Sequence, residues 1–130
     1  MTTLPITCMV LFVSDVPRMT AFYSTVAAMK ILHEEPSYAI LGIDGFELVI
    51  HALYGEPSPQ NSTAVTVVVR EDSYTKLCLP VANISIARAQ ADQLGGAIKS
   101  SAHEWVARGI RACDGHDPEG NVFQVRMLDA

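Results

Sequence analysis

In the first half of the chain the apolar positions switch from the period of a strand to that of a helix and back. Residues 5–13, Pro-Ile-Thr-Cys-Met-Val-Leu-Phe-Val, are apolar and β-prone. Ser14 or Asp15 then offers a capping side chain and Pro17 suits a first helical turn. Met19, Phe22, Tyr23, Val26 and Met29 recur at helical spacing, which predicts a helix over about 15–28. Three strands follow over about 30–35, 38–43 and 46–53, the last two joined by the turn formers Asp44-Gly45.

Residues 54–63 hold turn formers without periodicity and read as a linker. Residues 64–70 contain four valines and read as an extra edge strand or an extended arm. The element order then repeats. Lys76-Leu77-Cys78-Leu79-Pro80-Val81 is strand-like, Asn83 caps a helix over about 84–94, and Gly95-Gly96 ends it. Strands over about 97–100, 107–114 and 122–128 complete a second β-α-β-β-β module. Val13-Ser14-Asp15-Val16 and Val81-Ala82-Asn83-Ile84 stand at matching strand-to-helix junctions.

The last strand follows Asp117-Pro118-Glu119-Gly120-Asn121. Asp117 accepts at a turn corner, Pro118 presets φ, and Gly120 tolerates the left-handed conformation. Beyond it Phe123, Val125 and Met127 alternate with Val122, Gln124 and Arg126. The second set, half apolar and half polar, fits either a pocket lining or a half-exposed edge strand.

Composition narrows the function. The 49% apolar and 18% charged residues of this 130-residue chain are globular proportions. A net charge of −5 without a Lys/Arg cluster argues against nucleic acid as a partner. No apolar run approaches the length of a membrane span, and no signal peptide is recognisable. Cys8, Cys78 and Cys113 are odd in number and far apart, which fits neither a disulfide framework nor a zinc site; reduced thiols on buried strands of a cytoplasmic protein are expected. Asp114, His116, Asp117 and Glu119 look like metal ligands by type but lie in a hairpin without a calcium-loop pattern, so solvent exposure is expected.

Val13-Ser14-Asp15 followed by Ala21-Phe22-Tyr23, then Leu94-Gly95-Gly96, then Asp117-Pro118-Glu119-Gly120-Asn121 give a chain that resembles the vicinal oxygen chelate superfamily of glyoxalase I, bleomycin resistance proteins, fosfomycin resistance enzymes and extradiol dioxygenases. Ala27-Ala28-Met29 departs from it, since members often have Leu-Gly there. The resemblance implies an α+β fold of two tandem modules, a curved mixed sheet around a cleft with helices outside, and a homodimer in which modules pair across subunits. It places Met9, Leu11, Val13, Leu77, Leu79 and Val81 toward the helices, and Cys8, Val10, Phe12, Lys76, Cys78 and Pro80 toward the cleft.

Metal-dependent members hold their ion on the first and last strands of each module. The resemblance maps those places to Cys8, His51, Lys76 and Gln124. Lys76 is a cation without a lone pair near neutrality and Cys8 a soft ligand, so the set is a poor metal site. Without a metal, Lys76, Arg111 and Arg126, with Arg108 nearby, offer positive charge, and Phe12, Tyr38 and Trp105 offer flat walls. Each also has a plainer reading: surface charge for the arginines, core or interface filling for Trp105, and a hydrogen-bonded core histidine for His51. Cys8 with His51 is a conceivable nucleophilic pair.

Two functions follow from the resemblance. One is metal-independent binding of a small, partly aromatic or anionic molecule, as in bleomycin resistance proteins. The other is a divalent-metal lyase or isomerase of glyoxalase type, with His51, Gln124 and Glu47 as ligands.

Overall fold

The computed structural model describes residues 3–53 and 67–129. Among them the order is β1 (Thr7–Val13), α1 (Val16–Val26), β2 (Lys30–Glu35), β3 (Tyr38–Ile43), β4 (Phe46–Ala52), β5 (Leu77–Pro80), α2 (Ile84–Gln93), β6 (Ala97–Ile98), β7 (Trp105–Ala107), β8 (Ile110–His116) and β9 (Val122–Leu128). The fold is α+β, with two helices and nine strands in two mixed sheets among the described residues. The expected linker over 54–63, and residues 64–66 of the expected arm, lie outside the described residues.

Sheet A has the order β1-β4-β3-β2 and sheet B the order β5-β9-β8-β6, with β7 also on β8. The outer pairs β1–β4 and β5–β9 are parallel and the others antiparallel. Met9 pairs with Leu48 as Leu77 pairs with Phe123, so the two modules repeat at residue level. The second differs in one place. The strand expected over 107–114 is instead β7 and β8, joined by Arg108-Gly109 with φ of 54° and 74°. Two consecutive left-handed residues make the tight two-residue hairpin turn, an unusual station for arginine. Together β6 and β7 occupy the edge that β2 fills in sheet A, interrupted by a single 3-10 turn at Ser101–His103.

Both helices start as their sequences dictate. Asp15 accepts from the Arg18 amide at 3.1 Å and Asn83 from the Ile86 amide at 3.0 Å. The first helix ends before Ala28, which takes φ 51° without being glycine; a left-handed alanine costs roughly 1 kcal/mol. Its buried face, including Met19, Phe22, Tyr23 and Val26, joins Leu41, Leu48 and Ile50 of sheet A and Leu79, Phe123 and Val125 of sheet B in one continuous core.

The hairpin before β9 locks the modules together. Contrary to the expected exposure, Asp117 is wholly buried. It accepts from Tyr23 Oη at 2.7 Å, Asn121 Nδ2 at 2.9 Å, and the amides of Glu119 and Asn121. The Glu119 carboxylate reaches back to the first module and accepts from the Ser14 and Asp15 amides at 2.7 and 2.8 Å. Residues 67–70 form no strand; they lie over the same hairpin, where the Arg70 amide donates to the Gly120 carbonyl at 2.8 Å.

Burial first, then the Asp117 charge and hydrogen bond, raise the Tyr23 phenol well above its usual pKa of 10.0. A raised phenol pKa contributes stability that is complete below about pH 10 and is lost as pH climbs past it. The alkaline fall in stability, followed by urea unfolding at graded pH, is therefore expected to be steeper for the wild type than for Tyr23→Phe. Equal slopes would remove Tyr23 as the cause.

Candidate functional site

Each sheet gives one face to the common core and leaves the other open. On sheet A the pairing lays out the open face as rows. Phe12, His51 and Tyr38 form the first, Val10, Val49 and Ile40 the second, and Cys8, Glu47 and Gly42 the third. The first row is a ladder of rings. Phe12 meets His51 edge-on at 5.7 Å between centroids, His51 lies 6.0 Å from Tyr38 at 17°, and Tyr38 stacks on His33 at 5.2 Å. Phe12 is 55% exposed. Glu35 closes the ladder. Hydrogen bonds from His33 and then Tyr38 lower its pKa, and it in turn raises that of the Tyr38 phenol. His33 stands opposite Ile40 in the second row and reaches diagonally to Tyr38; beyond it β2 carries an irregularity between Ile31 and His33. The interposed Leu32 folds over Gly42, where even a Cβ would come within 2.8 Å of it.

Sheet B repeats the grid with different chemistry. Its rows are Pro80, Arg126, Ala112 and Trp105; then Cys78, Gln124 and Asp114; then Lys76 at the level of Val122, His116 and Ala97. A polar chain crosses them. Lys76 Nζ donates to Asp114 Oδ2 at 3.0 Å, Gln124 Nε2 to Asp114 Oδ1 at 3.2 Å, and Arg126 Nε to Gln124 Oε1 at 2.7 Å. Asp114 thus neutralises Lys76. Gln124 has its amide oriented by an acid on one side and a guanidinium on the other. The Nη donors of Arg126 have no protein acceptor among the described residues, and beside them Trp105, Arg108 and Ala112 line a shallow hollow of about 50 Å³. A cavity of about 360 Å³ lies at the other end of this face, walled by Lys76, Lys99, His116 and the 69–73 segment.

The expected site residues therefore fall into two groups. Phe12, Tyr38 and His51 come together on sheet A, and Lys76, Gln124, Arg126 and Trp105 on sheet B. Among the described residues no hydrogen bond or ring contact joins the two groups. Cys8 stands on the open face of sheet A, four residues along the strand from the Phe12–His51 pair. That is about 13 Å at strand rise, too far for a Cys8–His51 nucleophilic pair. Arg111 is on the opposite face of β8 from Arg126, bonded to Asp129 at 3.1 Å and to Glu104. Cys8 and Cys78, expected to be buried, are exposed; only Cys113 is interior. Asp114, which organises the polar chain, was expected in a solvated turn. Its alternation with Ala112 and His116 is the signal that places it.

These donors do not fit a divalent ion. Gln124 Oε1 already accepts from a cation, and the Lys76 ammonium repels one. His51 and Glu47 share a face of β4 but stand four residues apart, about 13 Å, too far to grip one ion. By register the counterpart of Gln124 in the first module is Val49, which has no donor, while His51 corresponds to Arg126. Among the described residues no three His, Cys, Asp or Glu side chains converge as a metal-binding group. No helix among them is long and apolar enough to cross a membrane.

Comparison with solved structures places the architecture. The chain is similar to a glyoxalase/bleomycin resistance protein/dioxygenase family enzyme from Burkholderia phytofirmans PsJN, with TM-score 0.65 and 17% identity over 94% of this chain and 97% of that one. It is similar to the fosfomycin resistance protein FosX of Listeria monocytogenes, with TM-score 0.64 and 15% identity over 97% and 94%. It is also similar to an integron cassette protein from the mobile metagenome of V. cholerae, with TM-score 0.62 and 23% identity over 98% and 97%. Identities this low establish a shared fold, the glyoxalase/bleomycin resistance-like fold, and nothing beyond it. No protein-family model and no curated protein sequence matches the chain.

Proposed function

We propose that the protein binds a small, flat organic anion without a metal ion, between a wall of rings and a wall bearing a guanidinium. The observation that carries this reading is the Arg126 side chain, held through Nε by Gln124 with its Nη donors uncommitted beside Trp105. A planar fork of N–H donors suits a carboxylate. Asp114, the acid nearest to it along the chain of hydrogen bonds, is offset by Lys76.

The ring wall is Phe12, His51 and Tyr38. We propose that it meets the Arg126 wall in a homodimer, one copy supplying each. Both walls lie on the faces turned from the shared core, and nothing among the described residues joins them within one chain. A second copy then contributes half of each site.

The test is titration calorimetry of the full chain against aromatic and aliphatic carboxylates, with and without chelator, beside light scattering. A dimer is expected, along with chelator-insensitive binding that prefers aromatic acids. Arg126→Gln is expected to weaken that binding roughly ten- to a hundredfold, as loss of charge-assisted hydrogen bonds implies. Stoichiometric zinc, nickel or manganese with metal-dependent turnover would replace this reading by the glyoxalase-type lyase. A monomer that binds with full affinity would remove the shared site.

A further inference from the structure

We infer that His51 is a proton acceptor for a flat ligand carrying a weakly acidic hydrogen at its edge. The inference rests on the proposed planar-ligand site and adds a chemical step to it. His51 Nδ1 lies 2.8 Å from the Ala52 carbonyl oxygen. A carbonyl only accepts, so Nδ1 carries the proton, and in the neutral ring the lone pair is on Nε2. With Nδ1 tied to the main chain, Nε2 is the ring's other nitrogen, and among the described residues no hydrogen bond occupies it. Turning the ring over would put a carbon against the carbonyl and lose that bond.

The neighbours keep Nε2 available. Phe12 and Tyr38 flank the imidazole at 5.7 and 6.0 Å between centroids and offer no acid. Among the described residues no hydrogen bond runs from the Tyr38 hydroxyl to the imidazole, whose one bond is that to the Ala52 carbonyl. Val49 is the next residue along β4 on the same face, and Glu47 lies two positions further. A planar molecule lying along Phe12 and Tyr38 would bring its edge to Nε2, the arrangement a general base requires.

A chemically simple probe is 5-nitrobenzisoxazole, a flat carbon acid. Nε2 takes the proton from the ring carbon beside nitrogen, the C–H electron pair becomes the third bond of a nitrile, and the N–O bond breaks with its pair leaving on oxygen as a phenolate. The imidazolium then returns its proton to water. The full chain is expected to catalyse this elimination. His51→Gly is expected to lower the rate roughly a hundredfold, within the range of general-base catalysis, and added imidazole to restore much of it.

Binding of 6-nitrobenzotriazole, a planar mimic that cannot react, is measured in parallel; because His51 is one ring of the wall, the substitution is expected to weaken it roughly two- to tenfold, far less than it lowers the rate. A rate indifferent to His51→Gly, with the mimic still bound, overturns the base and leaves the ligand site standing. A mimic that does not bind overturns both. Nitrogen-15 NMR supplies a readout that needs no turnover: the Nδ1-protonated tautomer is expected, and the opposite tautomer overturns the inference.

Discussion

Asp117→Ala is expected to lower the free energy of unfolding by roughly 3–5 kcal/mol. The carboxylate is fully buried and accepts from the Tyr23 hydroxyl, the Asn121 amide group and two backbone amides. Removing it strands all of these donors at once, in a place that water does not reach. Asp117→Asn is expected to lose about half as much, because its NH2 must face donors at one of the two oxygen positions. Midpoints and slopes from urea unfolding measure both. A loss below about 1 kcal/mol for the alanine variant would show that relaxation or entering water satisfies these donors, and that the hairpin is not the joint between modules.

Phe123→Ala is expected to cost a similar amount, about 3–5 kcal/mol, by a different route. Phe123 is 1% exposed and packs against Phe22 at 5.8 Å and Tyr23 at 6.1 Å between ring centroids. It belongs to the second module, while both partners belong to the first. Truncation leaves a cavity where the two halves meet. Its effect should not add simply to that of Asp117→Ala, since Tyr23 touches both residues; a coupling of at least about 0.5 kcal/mol is expected from a double-mutant cycle. Additivity would mean that ring packing and the hydrogen-bonded hairpin stabilise the joint independently.

Periodicity made much of this architecture legible. The capped starts of both helices and the span Val122–Leu128 stand where apolar spacing puts them. Turn chemistry was legible only where the usual residues make the turn. Asp44-Gly45 announces a hairpin, whereas Arg108-Gly109 hides one, because arginine rarely takes φ of 54°. Alternation separates the two faces of a strand but does not say how each is used, which is why Arg111 read as a candidate and stands on the face away from Arg126. Residue type misled at Asp117, whose burial depends on Tyr23, a partner 94 positions away. His33 was out of reach for a similar reason. Register puts it opposite Ile40, and alternation alone does not show that its ring leans diagonally onto Tyr38.

The alternation within β4 and β9 carries an evolutionary consequence. Leu48, Ile50, Phe123 and Val125 keep the chain folded, while Val49, His51, Gln124 and Arg126, interleaved with them, point the other way. Selection for a new molecule can rewrite the outward alphabet of one module and leave the other module, and both inward alphabets, untouched. The two modules share one pairing scaffold and already differ in this manner, one bearing rings and the other charge. Laboratory libraries confined to those outward letters should therefore change what is recognised long before they change whether the polypeptide holds its shape.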